Sequence, residues 1–223
     1  MLRLLKLELK KVRFEKNICI SAGIILISMF FILAASNDSS MEAHTLEDAF
    51  RTIQMLMEIF FILFFSILNA SLIISEYNNQ TIWILFTYPV NRKKIILAKL
   101  LLITGFIAVS VLAGYGICCG FVIVLERCFD MFAGEFTVSM AYSWLATAAL
   151  TTIMFCALGL WTFVAGMWKK SVITTVVSSL VFIFLRQLVI TSSEHYQENI
   201  WVFLAVLAAT GVGVFVTVLK KLF

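Results

Sequence analysis

Long apolar runs alternate with short polar segments along the whole chain. About 20 consecutive apolar residues let a helix cross the roughly 30 Å of hydrocarbon in a bilayer. Six runs reach about that length, at approximately residues 18–36, 53–75, 95–124, 143–167, 172–190 and 200–219. Apolar positions are continuous within each run, which favours helices over the alternating strands of a membrane barrel. The pattern predicts an all-α membrane protein with one domain of six transmembrane helices over residues 18–223.

The segment before the first run, residues 1–17, has helical periodicity. At about 100° per residue, apolar side chains share one face and basic side chains share a second. The apolar set is Leu2, Leu5, Leu9 and Val12, and the basic set is Arg3, Lys6, Lys10 and Arg13. A basic amphipathic helix beside a span lies in the interface of an anionic leaflet. We expect it either to abut a cytoplasmic partner as a connecting helix or to act only as a topology signal.

Composition excludes a soluble protein. The chain is 62% hydrophobic and 13% charged, with a mean hydropathy of +1.03. Soluble domains carry about 25% charged residues. The net charge of +4 arises from a one-sided distribution along the chain, so it does not indicate a nucleic-acid partner.

The basic residues favour one orientation in the membrane. With the N-terminus inside, all 17 Lys and Arg residues except Arg51, Arg127 and Arg186 fall in inner segments. Most of the 13 acidic residues fall in outer segments. Because positively charged segments stay in the cytoplasm, both termini are predicted to be cytoplasmic.

An apolar cluster lies between charged residues in the segment that joins the second and third runs. The residues of interest are Glu76, Trp83, Leu85, Phe86, Pro89 and Arg92. Pro89 fixes its own φ and disfavours helix in the residue before it, so it ends one short helix and begins another. Apolar residues flanked by charges at a membrane face are typical of a docking surface. The segment is therefore predicted to form a short cytoplasmic helix that docks on another protein.

Two charged residues, Glu58 and Arg186, fall inside predicted spans at similar depth. Each would cost roughly 2.5–3.5 kcal/mol if alone in hydrocarbon, so each is expected to face a partner or water. Each belongs to a stripe at helical spacing: Glu58, Phe61, Phe65 and Asn69 in the second span, and Thr175, Ser179, Phe182 and Arg186 in the fifth. In antiparallel spans, Asn69 would meet Thr175. Either the two faces line a translocation pathway, within one subunit or across a dimer, or the charges form a buried pair that only fixes packing.

The sequence contains no recognisable catalytic set. It has no HExxH, GxSxG or P-loop pattern, and its five cysteines form no CxxC pair. His44 and His195 lie in predicted outer segments beside acidic residues. Two histidines in such segments are usually only solvated, so no catalytic or metal-binding residue is predicted.

The segment 76–99 resembles the signature that follows the second span in type-2 ABC exporter permeases. The matching residues are Glu76, Thr81, Leu85, Pro89, Val90, Arg92 and Lys99, whereas Asn78, Asn79 and Gln80 stand where the family often has a glycine. The six-span layout and the amphipathic start extend the resemblance over the chain. Its short length is similar to that of the small bacterial permeases of bacteriocin-immunity, bacitracin-resistance and peptide-toxin export systems.

The resemblance implies a division of labour between chains. Residues 76–88 would be a coupling helix seated in a cleft of a separate ATPase. Its coupling residues would be the apolar anchor Trp83, Leu85 and Phe86, the polar rim Glu76 and Arg92, and the motif residues Thr81 and Pro89. Two ATPase subunits would bind ATP and Mg²⁺, and this chain would hold no cofactor. A second permease subunit, identical or related, would complete the transporter in the bacterial cytoplasmic membrane.

The aromatic pathway residues Phe61, Phe65 and Phe182 favour a hydrophobic or amphipathic substrate, such as an antimicrobial or toxin peptide that enters from the lipid bilayer. Lipids and small hydrophobic drugs fit nearly as well. A different class also remains open: a membrane sensor or scaffold that transports nothing and uses the segment 76–94 to dock a soluble partner.

Overall fold

The structure is a computed structural model that describes residues 14–36, 46–75, 92–129, 138–169 and 171–191. Every described residue except Ser171 is helical. The helices are α1 (Phe14–Ser36), α2 (Leu46–Asn69), α3 (Arg92–Phe129), α4 (Val138–Lys169) and α5 (Val172–Thr191). A π-helical segment, Ala70–Ile74, continues α2 and is called the π turn below.

The prediction of an all-helical membrane protein is confirmed for the described part of the chain. Four helical segments there are long and apolar enough to cross a membrane: Glu15–Ala34, Ala49–Ile74, Ile95–Cys128 and Met140–Lys169. The apolar part of α5, Val172–Gln187, is shorter. In hydrocarbon the backbone must satisfy its own hydrogen bonds, which is why these apolar runs are continuous helices. These five helices correspond to the first five predicted spans.

Several predicted elements lie outside the described residues. They are residues 1–13 of the amphipathic segment, the coupling helix 76–88 and the sixth span at 200–219. Residues 14–17, predicted to end the amphipathic segment, form the start of α1. The count of six spans, the cytoplasmic termini and the single six-span domain therefore stay predictions.

Helix α2 begins earlier than predicted. It starts at Leu46, within the polar segment that was expected to precede a span beginning at residue 53. Leu46, Phe50 and Ile53 are buried while Arg51 is exposed. This spacing of three or four residues makes the start of α2 an amphipathic helix, which a search for continuous apolar runs does not detect.

The described helices fall into two compact units. The first unit contains α1, α2 as far as Phe61, α3 from Ala108 and α4 as far as Ile153. The second unit contains α2 from Ile62 with the π turn, α3 as far as Ile107, α4 from Met154, and α5.

Apolar contacts between helices characterise the first unit. A Cβ placed on Gly114 of α3 would lie 3.1 Å from Cε of Met57 and 3.4 Å from Cγ1 of Ile25, so α1 and α2 both approach α3 there. Ser28 of α1 lies 3.5 Å from the sulfur of Cys118. Gly116 and Gly120, whose spacing also permits close helix packing, have no described atom within 4 Å of such a Cβ. Close packing in this part of α3 therefore uses Gly114.

Many hydroxyl groups in the helices bond to their own backbone. Ser28 donates to Ile25 O at 2.7 Å, Thr104 to Leu100 O at 2.8 Å and Thr152 to Ala148 O at 2.7 Å. Bonds of this kind, to a carbonyl three or four residues back, satisfy the hydroxyl without a second helix. Hydroxyls that bond between helices are therefore the informative ones, and one such pair lies in the second unit.

Candidate functional site

A pair of serines joins α2 to α5 in the second unit. Oγ of Ser66 lies 3.1 Å from Oγ of Ser179. Each hydroxyl also lies within hydrogen-bond distance of a carbonyl in its own helix, Ser66 of Leu63 O at 2.8 Å and Ser179 of Val176 O at 2.7 Å. Both serine side chains are fully buried. The result is a short hydrogen-bonded chain from one helix to the backbone of the other, and it fixes the register of the two helices at this level.

An asparagine joins α2 to α4. Nδ2 of Asn69 donates to Gly159 O at 3.1 Å, and Thr162 donates to the same carbonyl at 2.8 Å. Exchanging the amide oxygen and nitrogen of Asn69 would bring two acceptors together, so this carbonyl determines the orientation of the amide. Oδ1 of Asn69 is buried and has no hydrogen-bond partner among the described residues.

Two glycines of α4 make room for these contacts. A methyl group on Gly159 would overlap the ring of Phe65, and one on Gly166 would overlap both Ile74 and the hydroxyl of Thr175. The two glycines are seven residues apart, two helical turns, so they lie on the same face of α4. This glycine face is where α2 and α5 approach α4 in the second unit.

The connection from α4 to α5 is short and backbone-bonded. Ser171 N–H donates to Gly166 O at 3.3 Å, and Thr175 N–H donates to Ser171 O at 3.3 Å. The Thr175 hydroxyl donates to the same Ser171 carbonyl at 3.1 Å. These bonds place Thr175 against Gly166 immediately after the turn.

A lysine joins α3 to the end of α2. Nζ of Lys99 lies 3.3 Å from Leu72 O, which belongs to the π turn. The lysine is only 7% exposed. Aromatic contacts add to the packing of the unit: Phe64 with Phe106, whose ring centroids are 6.4 Å apart, and Trp161 with Phe182, at 6.1 Å.

We call the buried polar residues of these helix contacts the polar seam. It consists of Ser66, Asn69, Lys99, Thr162, Thr175 and Ser179. Within a membrane protein such groups are costly unless hydrogen-bonded, and they are typical of places where helices must meet in one register.

The structure places the predicted pathway residues as follows. Phe65, Asn69, Thr175, Ser179, Phe182 and Arg186 belong to the second unit, and Glu58 and Phe61 to the first. All eight are buried except Phe182, which is partly exposed. The polar contacts of Asn69 and Thr175 described above go to Gly159 and Ser171, whereas the predicted pattern had the two side chains meeting. Neither Glu58 nor Arg186 lacks an interaction partner.

The predicted coupling residues Glu76, Thr81, Trp83, Leu85, Phe86 and Pro89 lie outside the described residues, as do His44 and His195. Arg92, the remaining coupling residue, is the first residue of α3. The helix that includes the π turn is described as far as Ser75, so the described helices flank the predicted coupling segment on both sides.

Sequence reasoning missed four residues of this site. Ser66 follows Phe65 of the predicted stripe and was not singled out, although it is the residue that reaches Ser179. Gly159, Thr162 and Gly166 were not singled out either. Their spacing could have indicated a face for close helix packing. Gly159, Thr162 and Gly166 follow one another at intervals of three and four residues, which places small residues on one helix face.

The comparisons with known proteins agree with this helical membrane architecture. Residues 4–187 match the family model described as ABC-2 family transporter protein. A protein of Bacillus subtilis (strain 168), named uncharacterized protein YcbO, is 29% identical over 189 residues, and the match covers 82% of each chain. The match to the family model extends over most of the chain and confirms the resemblance found in the segment 76–99. The chain is a multi-pass membrane protein and belongs to the ABC-2 family of transporter proteins.

Proposed function

We propose that the chain is the permease subunit of an ATP-driven exporter that works with two ATPase subunits and a second permease subunit. The observation that carries the proposal is the family match over residues 4–187. A transporter's membrane component needs a source of energy, and the sequence has no P-loop of its own. ATP and Mg²⁺ would therefore be bound by the separate ATPase chains.

The segment between α2 and α3 is the proposed docking site for the ATPase. It combines an apolar cluster, Trp83, Leu85 and Phe86, with charged neighbours. The ends of α2 and α3 that flank it belong to the second unit, where the polar seam joins α2 to α3, α4 and α5. A displacement of the segment would therefore act on helices that are hydrogen-bonded to one another.

Co-purification tests this docking. The full chain is expressed with a candidate ATPase subunit encoded beside it, and the amount of ATPase retained and its rate of ATP hydrolysis are measured. Leu85→Asp places a charge in the apolar anchor and is expected to reduce the retained ATPase at least tenfold, as loss of a central interface residue does. Ser40→Asp adds the same charge in a predicted outer segment and serves as the control. Equal retention by Leu85→Asp and wild type would contradict the docking proposal, and retention of a kinase in place of an ATPase would favour a sensor.

For the substrate, we propose a hydrophobic or amphipathic peptide. Phe182, which is partly exposed and contacts Trp161, supports an aromatic surface in α5 that could meet such a molecule. Phe61 and Phe65 are fully buried, and Phe65 fills the space beside Gly159, so both also have a packing role.

The substrate test uses inside-out vesicles that contain the permease and its ATPase. A fluorescently labelled amphipathic peptide is expected to accumulate in them only when ATP is present, and Phe182→Ala is expected to reduce that uptake. Uptake of a fluorescent lipid or dye without uptake of the peptide would replace the peptide proposal with one of the alternatives.

A further inference from the structure

The end of α2 departs from α-helical hydrogen bonding at the π turn. In this turn the amide of Ser75 bonds to Ala70 O, five residues back. Side chains occupy neighbouring carbonyls: Ser71 donates to Leu68 O at 3.2 Å, and Ser75 donates to Ser71 O. Leu72 O is reached from another helix, by Lys99. The carbonyls of this turn thus bond to a mixture of backbone and side-chain donors.

A π turn is a rare helical form whose backbone hydrogen bonds span five residues, and it often occurs at functional positions. Backbone carbonyls that lose their α-helical hydrogen bond need other donors when they are buried. Lys99 supplies one such donor across 27 residues of sequence. The cross-helix bond therefore holds a locally weakened end of α2 against α3.

A lysine is an expensive choice if only packing is required at position 99. Its neighbours Ala98, Leu100 and Ile103 are buried apolar residues, and an apolar side chain would avoid the cost of burying an ammonium group. An ammonium group offers three donors and a charge that strengthens a bond to a carbonyl. The use of lysine therefore points to the bond with the π turn, and not to volume alone.

The location of this bond gives it a specific role. The described part of α2 and its π turn ends at Ser75, and α3 begins at Arg92, so the bond ties together the two helix ends that flank the segment 76–91. We propose that Lys99 is a positioning residue that clamps the π turn to α3, so that displacement of the segment 76–91 moves α2 and α3 together. This inference rests on the proposed function, in which an ATPase docks on that segment.

The test compares three lysine variants in the full permease, co-purified with its ATPase and reconstituted in vesicles. Lys99→Met keeps an unbranched side chain of similar length but removes the ammonium group, and Lys99→Arg keeps a charged donor. Lys169→Met is the matched control, since Lys169 is an exposed lysine at the end of α4. Retained ATPase, ATP hydrolysis and ATP-dependent uptake of a labelled amphipathic peptide are measured for each variant.

Lys99→Met is expected to retain the ATPase and to hydrolyse ATP like the wild type, while peptide uptake falls about tenfold, within the usual range of coupling between sites. Lys99→Arg and Lys169→Met are expected to stay near wild type. Wild-type uptake by Lys99→Met would overturn the clamp, and so would equal losses of uptake and hydrolysis. If the wild-type chain itself retains no ATPase, the proposed function fails instead.

A second measurement does not depend on the stability of any lysine variant or on the transported molecule. Spin labels are placed at Ile67 of α2 and Leu101 of α3, both exposed, in a chain whose native cysteines are replaced by serine. The distance between the labels is measured without nucleotide and with the ATPase trapped by vanadate. The clamp predicts that this distance stays constant. A change of one helical turn or more, about 5 Å, would show that the two helix ends move separately and would overturn the proposal.

Discussion

The helix contacts described above differ in chemistry between the two units of the molecule. In the first unit the helices meet through apolar side chains around Gly114 and through the Ser28–Cys118 contact, and a thiol is a weak hydrogen-bonding group. In the second unit, hydrogen bonds join α2 to α3, α4 and α5. Lipid tails are as apolar as leucine, so apolar contacts alone give helices little reason to prefer one register. The difference indicates that register is specified most strongly in the second unit.

The largest effect is expected at the glycine face of α4. In Gly159→Ala, the added methyl group would overlap the Phe65 ring, so we expect a loss of stability of about 1–3 kcal/mol, as for other overpacked cores. Gly116→Ala, where the methyl group meets no described atom, is the matched control and should be neutral or slightly stabilising. Unfolding by a rising fraction of sodium dodecyl sulfate in detergent micelles measures both. Equal effects at the two positions would contradict the close approach at Gly159.

The next largest effect is expected at Asn69. Asn69→Ala removes the bond to Gly159 O and leaves a small void, which should cost about 1–2 kcal/mol in the same unfolding measurement. Asn69→Leu keeps most of the volume and also removes the amide oxygen that has no described partner, so it should cost less than the alanine variant. If the leucine variant costs as much as the alanine variant, the lost hydrogen bond and not the void accounts for the loss of stability.

A smaller effect is expected for the serine pair. In a double-mutant cycle of Ser66→Ala and Ser179→Ala, the coupling energy should be about 0.6 kcal/mol, the average for hydrogen bonds between helices in membranes. Ser178→Ala combined with Ser66→Ala is the control, because Ser178 donates to Thr175 O in its own helix. A coupling energy near zero for Ser66 and Ser179 would mean that this contact does not fix the register.

The smallest effect is expected in the first unit. Ser28 donates to Ile25 O at 2.7 Å, and its contact with Cys118 is 3.5 Å long and involves a thiol, a weak hydrogen-bonding group. Ser28→Ala should therefore change the unfolding free energy by a few tenths of a kcal/mol, below the value for the serine pair. A cost above about 1 kcal/mol, the size of a typical buried hydrogen bond, would remove the contrast between the two units.

The described helices could be predicted well because each contains a continuous run of apolar residues, which can be read directly from the sequence. The predicted spans at 18–36, 143–167 and 172–190 lie within α1, α4 and α5, and the observed helices extend beyond them by a few residues at most. The start of α2 was predicted too late because Arg51 and the acidic residues around it lower the apolar content, although Leu46, Phe50 and Ile53 continue the buried face.

The candidate site was harder to predict because it depends on which helices are neighbours. All four residues of the stripe from Glu58 to Asn69 are buried, and their role in a translocation pathway stays a prediction. The partner of that face at Asn69 is a carbonyl of α4, and no side-chain pattern identifies a backbone acceptor. The π turn could not be predicted either, since Ala70–Ile74 is an ordinary apolar sequence whose departure from the α-helix appears only in its hydrogen bonds.

The length of α3 determines the surroundings of Lys99. With 38 residues it is about 57 Å long, and at an average tilt of about 20° it rises through about 54 Å. About 24 Å of that rise exceeds a hydrocarbon layer of about 30 Å. Shared equally between the two ends, the excess puts roughly the first eight residues, Arg92 to Lys99, among the lipid headgroups. At that depth phosphates and water lie close by, so the cost of burying the Lys99 ammonium group comes from the protein around it and not from acyl chains.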